Sequence, residues 1–273
     1  MRRVISTATT EFRIALRNRW VAIALVLMAV FSLVLTLAGS APTGGLGVDR
    51  LSVTVASLTS LSVYLVPLLA LLMSFDAIAG EAERGTLPLL LTYPVSRGEV
   101  LVGKLIAHLA ILAVAVLLGH GLAASVSISG DAAATSGLPA LWRLSWSSIL
   151  LGATFLGVGY ALSALSRRPS GAAGLAISLW LGLVVLYDLA LLAVIVADNG
   201  GWFTTEAFPF ALLANPADAF RLYNLSASGA ATTAAGIGGA ANAIPAWQSL
   251  FSILLWPLAA LMLAGAAFRK VTP

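Results

Sequence analysis

Eight residues, Gly98 to Leu105, read GEVLVGKL and carry the glycines and the lysine of a phosphate-binding loop. In that chemistry backbone N–H groups cradle phosphate, the lysine reaches its outer oxygens, and a following Ser or Thr holds magnesium. Leu105 stands where the hydroxyl is required, no strand precedes the segment, and apolar sequence follows without a break. The spacing is therefore a coincidence of composition, and nucleotide binding by this chain is excluded.

Three other groups could do chemistry inside apolar surroundings: Asp188, His108 and His120. An acid in a membrane helix costs roughly 3 kcal/mol on insertion scales, so Asp188 calls for a reason. Counted from the cytoplasmic ends of their helices, Asp188 and His120 both lie about 24 Å along, which leaves two readings: a polar contact or shared outward cavity between them, or each finding water, Tyr187 or a backbone carbonyl. His108 is expected near the other interface, reaching water. A copper path would need soft ligands. The chain has no cysteine and four methionines, of which Met28, Met73 and Met262 sit singly on three helices, so no metal site is expected in it.

The most polar internal stretch is DAIAGEAERGTLPLLLTYPVSRGEVLVGK, from Asp76 to Lys104. It holds Glu81, Glu83, Arg84 and Arg97 within a few turns of one another, a charged group that reads either as a contact surface or as a solvated face. Thr86 is placed to cap a short helix through Leu87 to Leu91, Tyr93 and Pro94 break it, and Ser96 with Glu99 has the spacing of a capping box. A helix, turn and helix result, the second arm running on into an apolar segment.

The elements that must position these groups follow from composition. Of 273 residues, 60% are hydrophobic and 10% charged, against about 25% charged in soluble domains. Apolar runs long enough for a hydrocarbon core of about 30 Å recur six times, over residues 20–38, 53–75, 105–128, 144–165, 172–197 and 246–268. Barrel strands need only about 10 residues of alternating polarity, so these are helices. The expected fold is an all-α integral membrane protein with six spans. A cleaved signal peptide is not expected, because the first run is long, Pro42 follows it and five more runs come later.

Lys and Arg concentrate on the cytoplasmic side of spans. With the N-terminus inside, twelve of the fifteen basic residues fall in cytoplasmic segments, and Arg50, Arg143 and Arg221 remain outside with Asp49, Asp131, Asp198, Glu206 and Asp218. Both termini and the 76–104 hairpin are then cytoplasmic. The same asymmetry accounts for the net charge of +4 without nucleic acid. Ile5, Ala8, Phe12 and Ala15 or Leu16 recur at helical spacing in residues 1–19, as in an amphipathic helix on the inner leaflet.

The outer segment 198–245 divides in two. Trp202 to Leu225 mixes aromatics with Pro209 and Pro216, as a short interfacial or re-entrant helix would, and Ser226 to Ala243 is nearly all small residues, a loose lid. Pro67 and Pro257 should kink spans two and six. Gly152, Gly157, Gly159 and Ala161 give span four a face for close packing.

Glu81, Glu83, Gly85, Thr86, Leu87, Pro94, Ser96, Arg97, Gly103 and Lys104 together make a pattern: an acidic pair, GTL, an apolar run, a proline turn, SR, then GK entering the next span. This pattern resembles the ABC-2 class of exporter permeases, whose six spans and N-terminal amphipathic helix match nearly the whole chain. Within that class, ASLTSLSVYLVPLLALLMSFDAIAGE, VVLYDLALLAVIVA and LLANPADAFRLYNLS resemble the permeases of nitrous-oxide-reductase maturation transporters.

The resemblance implies a non-catalytic bacterial inner-membrane subunit working as a homodimer. Its partners would be a cytoplasmic ABC ATPase, which binds the ATP and magnesium, and a periplasmic β-helical accessory protein. The task implied is assembly of the reductase's copper centres, by mechanical coupling or by export of a sulfur species. On that reading Glu81, Glu83, Arg84, Gly85, Thr86, Leu87, Pro94, Ser96 and Arg97 couple to the ATPase. Two other readings are a permease of the same class with a drug, ion or lipid as cargo, and a self-contained secondary transporter with Asp188 as its ion site.

Overall fold

The computed structural model describes residues 2–16, 19–38, 50–130, 132–226 and 244–271. Six helical stretches in it are long and apolar enough to cross a membrane: Val21–Ala38, Leu51–Glu83, Arg97–Gly130, Ala134–Leu165, Pro169–Asp198 and Ala246–Arg269. The expected lid from Ser226 to Ala243 lies, apart from Ser226, outside the described residues.

In chain order the helices are α1 (Arg2–Leu16), α2 (Arg19–Ala38), α3 (Arg50–Ser74), α4 (Ala79–Glu83), α5 (Thr86–Thr92), α6 (Arg97–Gly130), α7 (Leu138–Leu165), α8 (Pro169–Trp180), α9 (Tyr187–Asp198), α10 (Phe208–Ala214), α11 (Pro216–Leu225) and α12 (Ala246–Arg269). A wide π-helical turn, Leu181–Leu186, joins α8 to α9 within one span, and a second, Phe203–Ala207, leads into α10.

The centre of the bundle is α7, packed against α3, α6 and α12. Its glycines meet a different neighbour each time. A Cβ on Gly152 would run into the Leu112 side chain of α6, one on Gly159 into Ser74 Oγ of α3, and one on Gly157 would lie 2.9 Å from the Ala260 Cβ of α12. Tight approach of this kind replaces the hydrophobic effect as the force between helices in lipid, since lipid tails are as apolar as leucine. Tyr160, Phe155, Phe220 and Leu112 fill the space between. The outward faces of α2, α9 and α12, with Val30, Leu192 and Leu258 exposed, form the apolar surface that a bilayer requires.

The expected amphipathic stripe of α1 divides. Ala8 and Ala15 are buried, whereas Ile5 and Leu16 point outward. The reason is that α1 lies along α6, where Gly103 lets it approach until an added Cβ would stand 2.7 Å from Thr7 Cγ2.

α11 sits among α3, α7 and α12 with most of its length buried. Asn215 caps it, its side chain accepting from Ala217 N–H at 3.0 Å, and Pro216 occupies the first turn, where a missing donor costs nothing.

Candidate functional site

Two polar clusters occupy opposite ends of the bundle. The first surrounds the hairpin made by α4 and α5. Asp76 to Ile78 turn out of α3, and Ser163 Oγ of α7 accepts the N–H groups of Ile78 and Ala79 at 3.0 and 2.9 Å. A buried hydroxyl thus satisfies two donors at the start of α4 that have no partner within the helix. Gly80 carries no side chain because Asp76 and Arg84 pair across that place, at 3.4 Å on the surface.

Glu81 faces inward. Its carboxylate meets Lys104 Nζ of α6 at 2.5 Å, and the same ammonium meets Glu11 of α1 at 2.7 Å. Lys104 is 2% exposed. Breaking a pair this deep leaves an uncompensated buried charge, which is the costly event, so the cluster fixes α1, α4 and α6 against one another. The lysine of the phosphate-loop pattern is therefore a structural ion, and Gly98 to Leu105 are helical residues of α6.

Gly85 caps α5, at φ 69°, and not Thr86 as expected from sequence. The left-handed backbone that reverses the chain suits glycine, and Thr86 falls one position inside, its hydroxyl donating to the Glu81 carbonyl at 3.1 Å. The capping box of α6 forms: Glu99 Oε2 accepts from Ser96 N–H at 2.8 Å, and Ser96 Oγ accepts from Glu99 N–H at 3.2 Å. Arg97 reaches the last turn of α12, donating to the carbonyls of Phe268 and Val271 at 2.5 and 2.6 Å with its guanidinium over the Phe268 ring. A cation at a helix C-terminus meets both orphan carbonyls and the negative end of the dipole.

Of the coupling residues expected from sequence, Glu81, Leu87 and Arg97 are thus turned into the protein, with Leu87 wholly buried. Glu83, Arg84, Gly85, Thr86, Pro94 and Ser96 are exposed. Between them Leu89 and Tyr93 are 64% and 68% exposed, and beside Tyr93 a hollow of about 560 Å³ opens against α1, lined by Thr7, Thr10, Glu11, Pro94 and Val100. The outward face thus joins Glu83 and Arg84, two of the four charged residues expected there, with the apolar and aromatic Leu89 and Tyr93.

The second cluster joins the fifth span to the inserted helix. Arg221 Nη2 donates to Asp188 Oδ2 at 3.0 Å and Nη1 to Asp218 Oδ1 at 3.1 Å. Alongside, Tyr187 Oη donates to the Ala211 carbonyl at 2.8 Å, and Asn215 Nδ2 to the Leu183 carbonyl in the π turn at 2.7 Å. Arg143 of α7 donates to the Asn224 carbonyl at 2.7 Å, stacks over Tyr223, and Asn224 bonds Ser147. Burial, then the neighbouring Asp188, pushes the Asp218 carboxyl up to about 8, against Arg221 and Asn215.

The expected contact between Asp188 and His120 is not the one made. His120 Nδ1 pairs with Ser145 Oγ at 2.9 Å and its Nε2 with Ser62 Oγ at 3.5 Å, between α7 and α3. Asp188 lies past the π turn and is taken by α11. His108 is 7% exposed and bonded to Tyr160 Oη at 2.8 Å, not reaching water. Glu11, Ser163, Asn215, Asp218 and Arg221 carry these clusters and were not singled out for such roles from sequence. The Asn-Pro start of α11 and the three-residue spacing of Asp218 and Arg221 were signals that could have found the last three.

Residues 5–271 match the family described as ABC-2 family transporter protein. The chain is 44% identical over 271 residues, 98% of each sequence, to a protein of Pseudomonas aeruginosa named probable ABC transporter permease protein NosY. It is 42% identical over 274 residues, 99% of each, to a Stutzerimonas stutzeri protein of the same name. Six spans, a helical hairpin between the second and third, and a match over the whole bundle agree: the chain belongs to the ABC-2 family of transporter proteins, as a multi-pass permease subunit of a bacterial inner membrane.

Proposed function

We propose that this chain couples ATP hydrolysis by a separate cytoplasmic ATPase to a periplasmic β-helical partner, as a homodimer, in maturation of the copper centres of nitrous oxide reductase. ATP and magnesium belong to the ATPase. The names of the relatives and the resemblance of the spans support the assignment. The observation that carries the mechanism is the anchoring of the hairpin. Its ends are tied to α7 through Ser163, to α6 and α1 through Lys104, and to α12 through Arg97.

A push on the outward face at Leu89 and Tyr93 has few soft joints to absorb it and moves helices that span the membrane. Glu83, Arg84 and Thr86 border that face as its polar rim, whereas Glu81 and Arg97 act behind it as fasteners. Such a device does mechanical work on an outer partner without requiring a cargo.

The test is co-purification of the chain with its candidate ATPase in detergent, comparing wild type with Leu89→Asp plus Tyr93→Ala. Loss of the ATPase from a chain that still elutes as a folded species is expected. An ATPase retained at wild-type yield overturns the docking role of the hairpin.

A further inference from the structure

We infer that Asp188 and Asp218 hold one proton between them beside Arg221, so that the seam between the fifth span and the inserted helix α11 is a proton-binding latch. This goes beyond the coupling reading and does not depend on it.

The geometry leaves one negative charge uncompensated. Two carboxylates share one guanidinium, whose two outer nitrogens are each committed to a different acid, at 3.0 and 3.1 Å. Asp218 is only 2% exposed, and its Oδ2 is buried without a hydrogen-bond partner. Gripped by the one guanidinium, the Asp188 and Asp218 carboxyls are neighbours, and each opposes the other's charge. Two ionised carboxylates do not hold that approach, and two carboxyls bridged by a single proton do. With the proton in place the three side chains sum to zero, which is the state a site this dry favours.

Among the described residues the surrounding groups supply no second cation. From the fifth span the other titratable neighbour is Tyr187, whose hydroxyl is given to Ala211. From α7, Arg143 reaches α11 at the Asn224 carbonyl and over the Tyr223 ring. α10 has no ionisable residue, α3 between Leu51 and Ser74 has only Tyr64, α12 has none before Arg269, and Glu206 of the preceding turn is exposed. Within α11 the one base is Arg221.

Asp188 is the more open of the two acids. The Asp188 side chain is 30% exposed and Arg221 18%, against 2% for Asp218, so the pair exchanges with water or headgroups on the Asp188 side. Loss of the proton to water leaves two carboxylates facing one another, and repulsion then opposes the contact that draws the span onto α11.

The test uses the full chain in lipid nanodiscs. Infrared titration of wild type should show a protonated carboxyl at neutral pH that disappears with a midpoint of about 8. Asp218→Asn should abolish that band, and Asp188→Asn should move its midpoint to lower pH by removing the repelling neighbour. Because the folded value lies above the unfolded one, the stabilisation is fully present in acid and is lost as pH rises through the folded value. The wild-type melting temperature should therefore fall between about pH 5 and 8, and the Asp218→Asn variant should be flat over that window. Absence of a protonated carboxyl from wild type at neutral pH overturns the inference without recourse to any variant. So does a band that survives both substitutions unchanged.

Discussion

Lys104 Nζ stands 2.5 Å from the Glu81 carboxylate, joining the third span to a helix that began 25 positions earlier at Ala79. Glu11 completes the contact from the N-terminal helix. One ammonium thereby closes a triangle of three elements that the chain visits far apart.

Replacing Lys104 by Met strands two carboxylates in a buried place. The expected loss is about 3–5 kcal/mol of stability, read from thermal unfolding in detergent. Replacing Glu11, Glu81 and Lys104 together with apolar residues of similar size should recover most of it. A triple variant no more stable than the single one would show that the cluster does not act as a closed unit.

Gly159→Ala drives a methyl into Ser74 Oγ at the centre of the bundle. Overpacking of this kind should cost about 1–3 kcal/mol. Gly174→Ala, where an added Cβ meets open space, should instead stabilise its helix by up to about 1 kcal/mol. Melting temperatures of the two variants should move in opposite directions.

Gly85→Ala places a side chain on a backbone at φ 69°. A cost of about 1–2 kcal/mol is expected, and Gly85→Asn should be milder because asparagine tolerates the left-handed region. Hydrogen exchange of α5, compared among the three proteins, reads the effect at the hairpin itself.

Ser163→Ala removes the acceptor for two buried backbone donors, Ile78 and Ala79. Each unsatisfied donor costs about 1–3 kcal/mol. The hairpin should exchange faster with the bundle intact, and Ser163→Thr should restore protection where its methyl is accommodated.

Much of this architecture could be read before any coordinates. The six spans follow from the length of apolar runs, a property of contiguous sequence, and the Ser96–Glu99 box follows from a three-residue spacing. The glycines of α7 announced close packing, though not which helix each would meet. What stayed hidden depends on how one helix is rotated against another. His120 looks equally available to Asp188 and to Ser145 when only depth along the helix is counted. Glu11 and Lys104 are 93 positions apart, and nothing local marks them as partners. Charge usually signals surface, and Glu83 and Arg84 of the hairpin are exposed, but Glu81 and Arg97 have partners inside the protein, and the apolar Leu89 and aromatic Tyr93 lie outside.

The π turn at Leu181–Leu186 puts the two halves of the fifth span out of phase. One surplus residue in a helix rotates everything downstream by about 100° relative to an uninterrupted spiral. Asp188 follows that offset immediately and meets Arg221 from it. Deleting a single residue from the turn should rotate the acid by about 100° and break that contact.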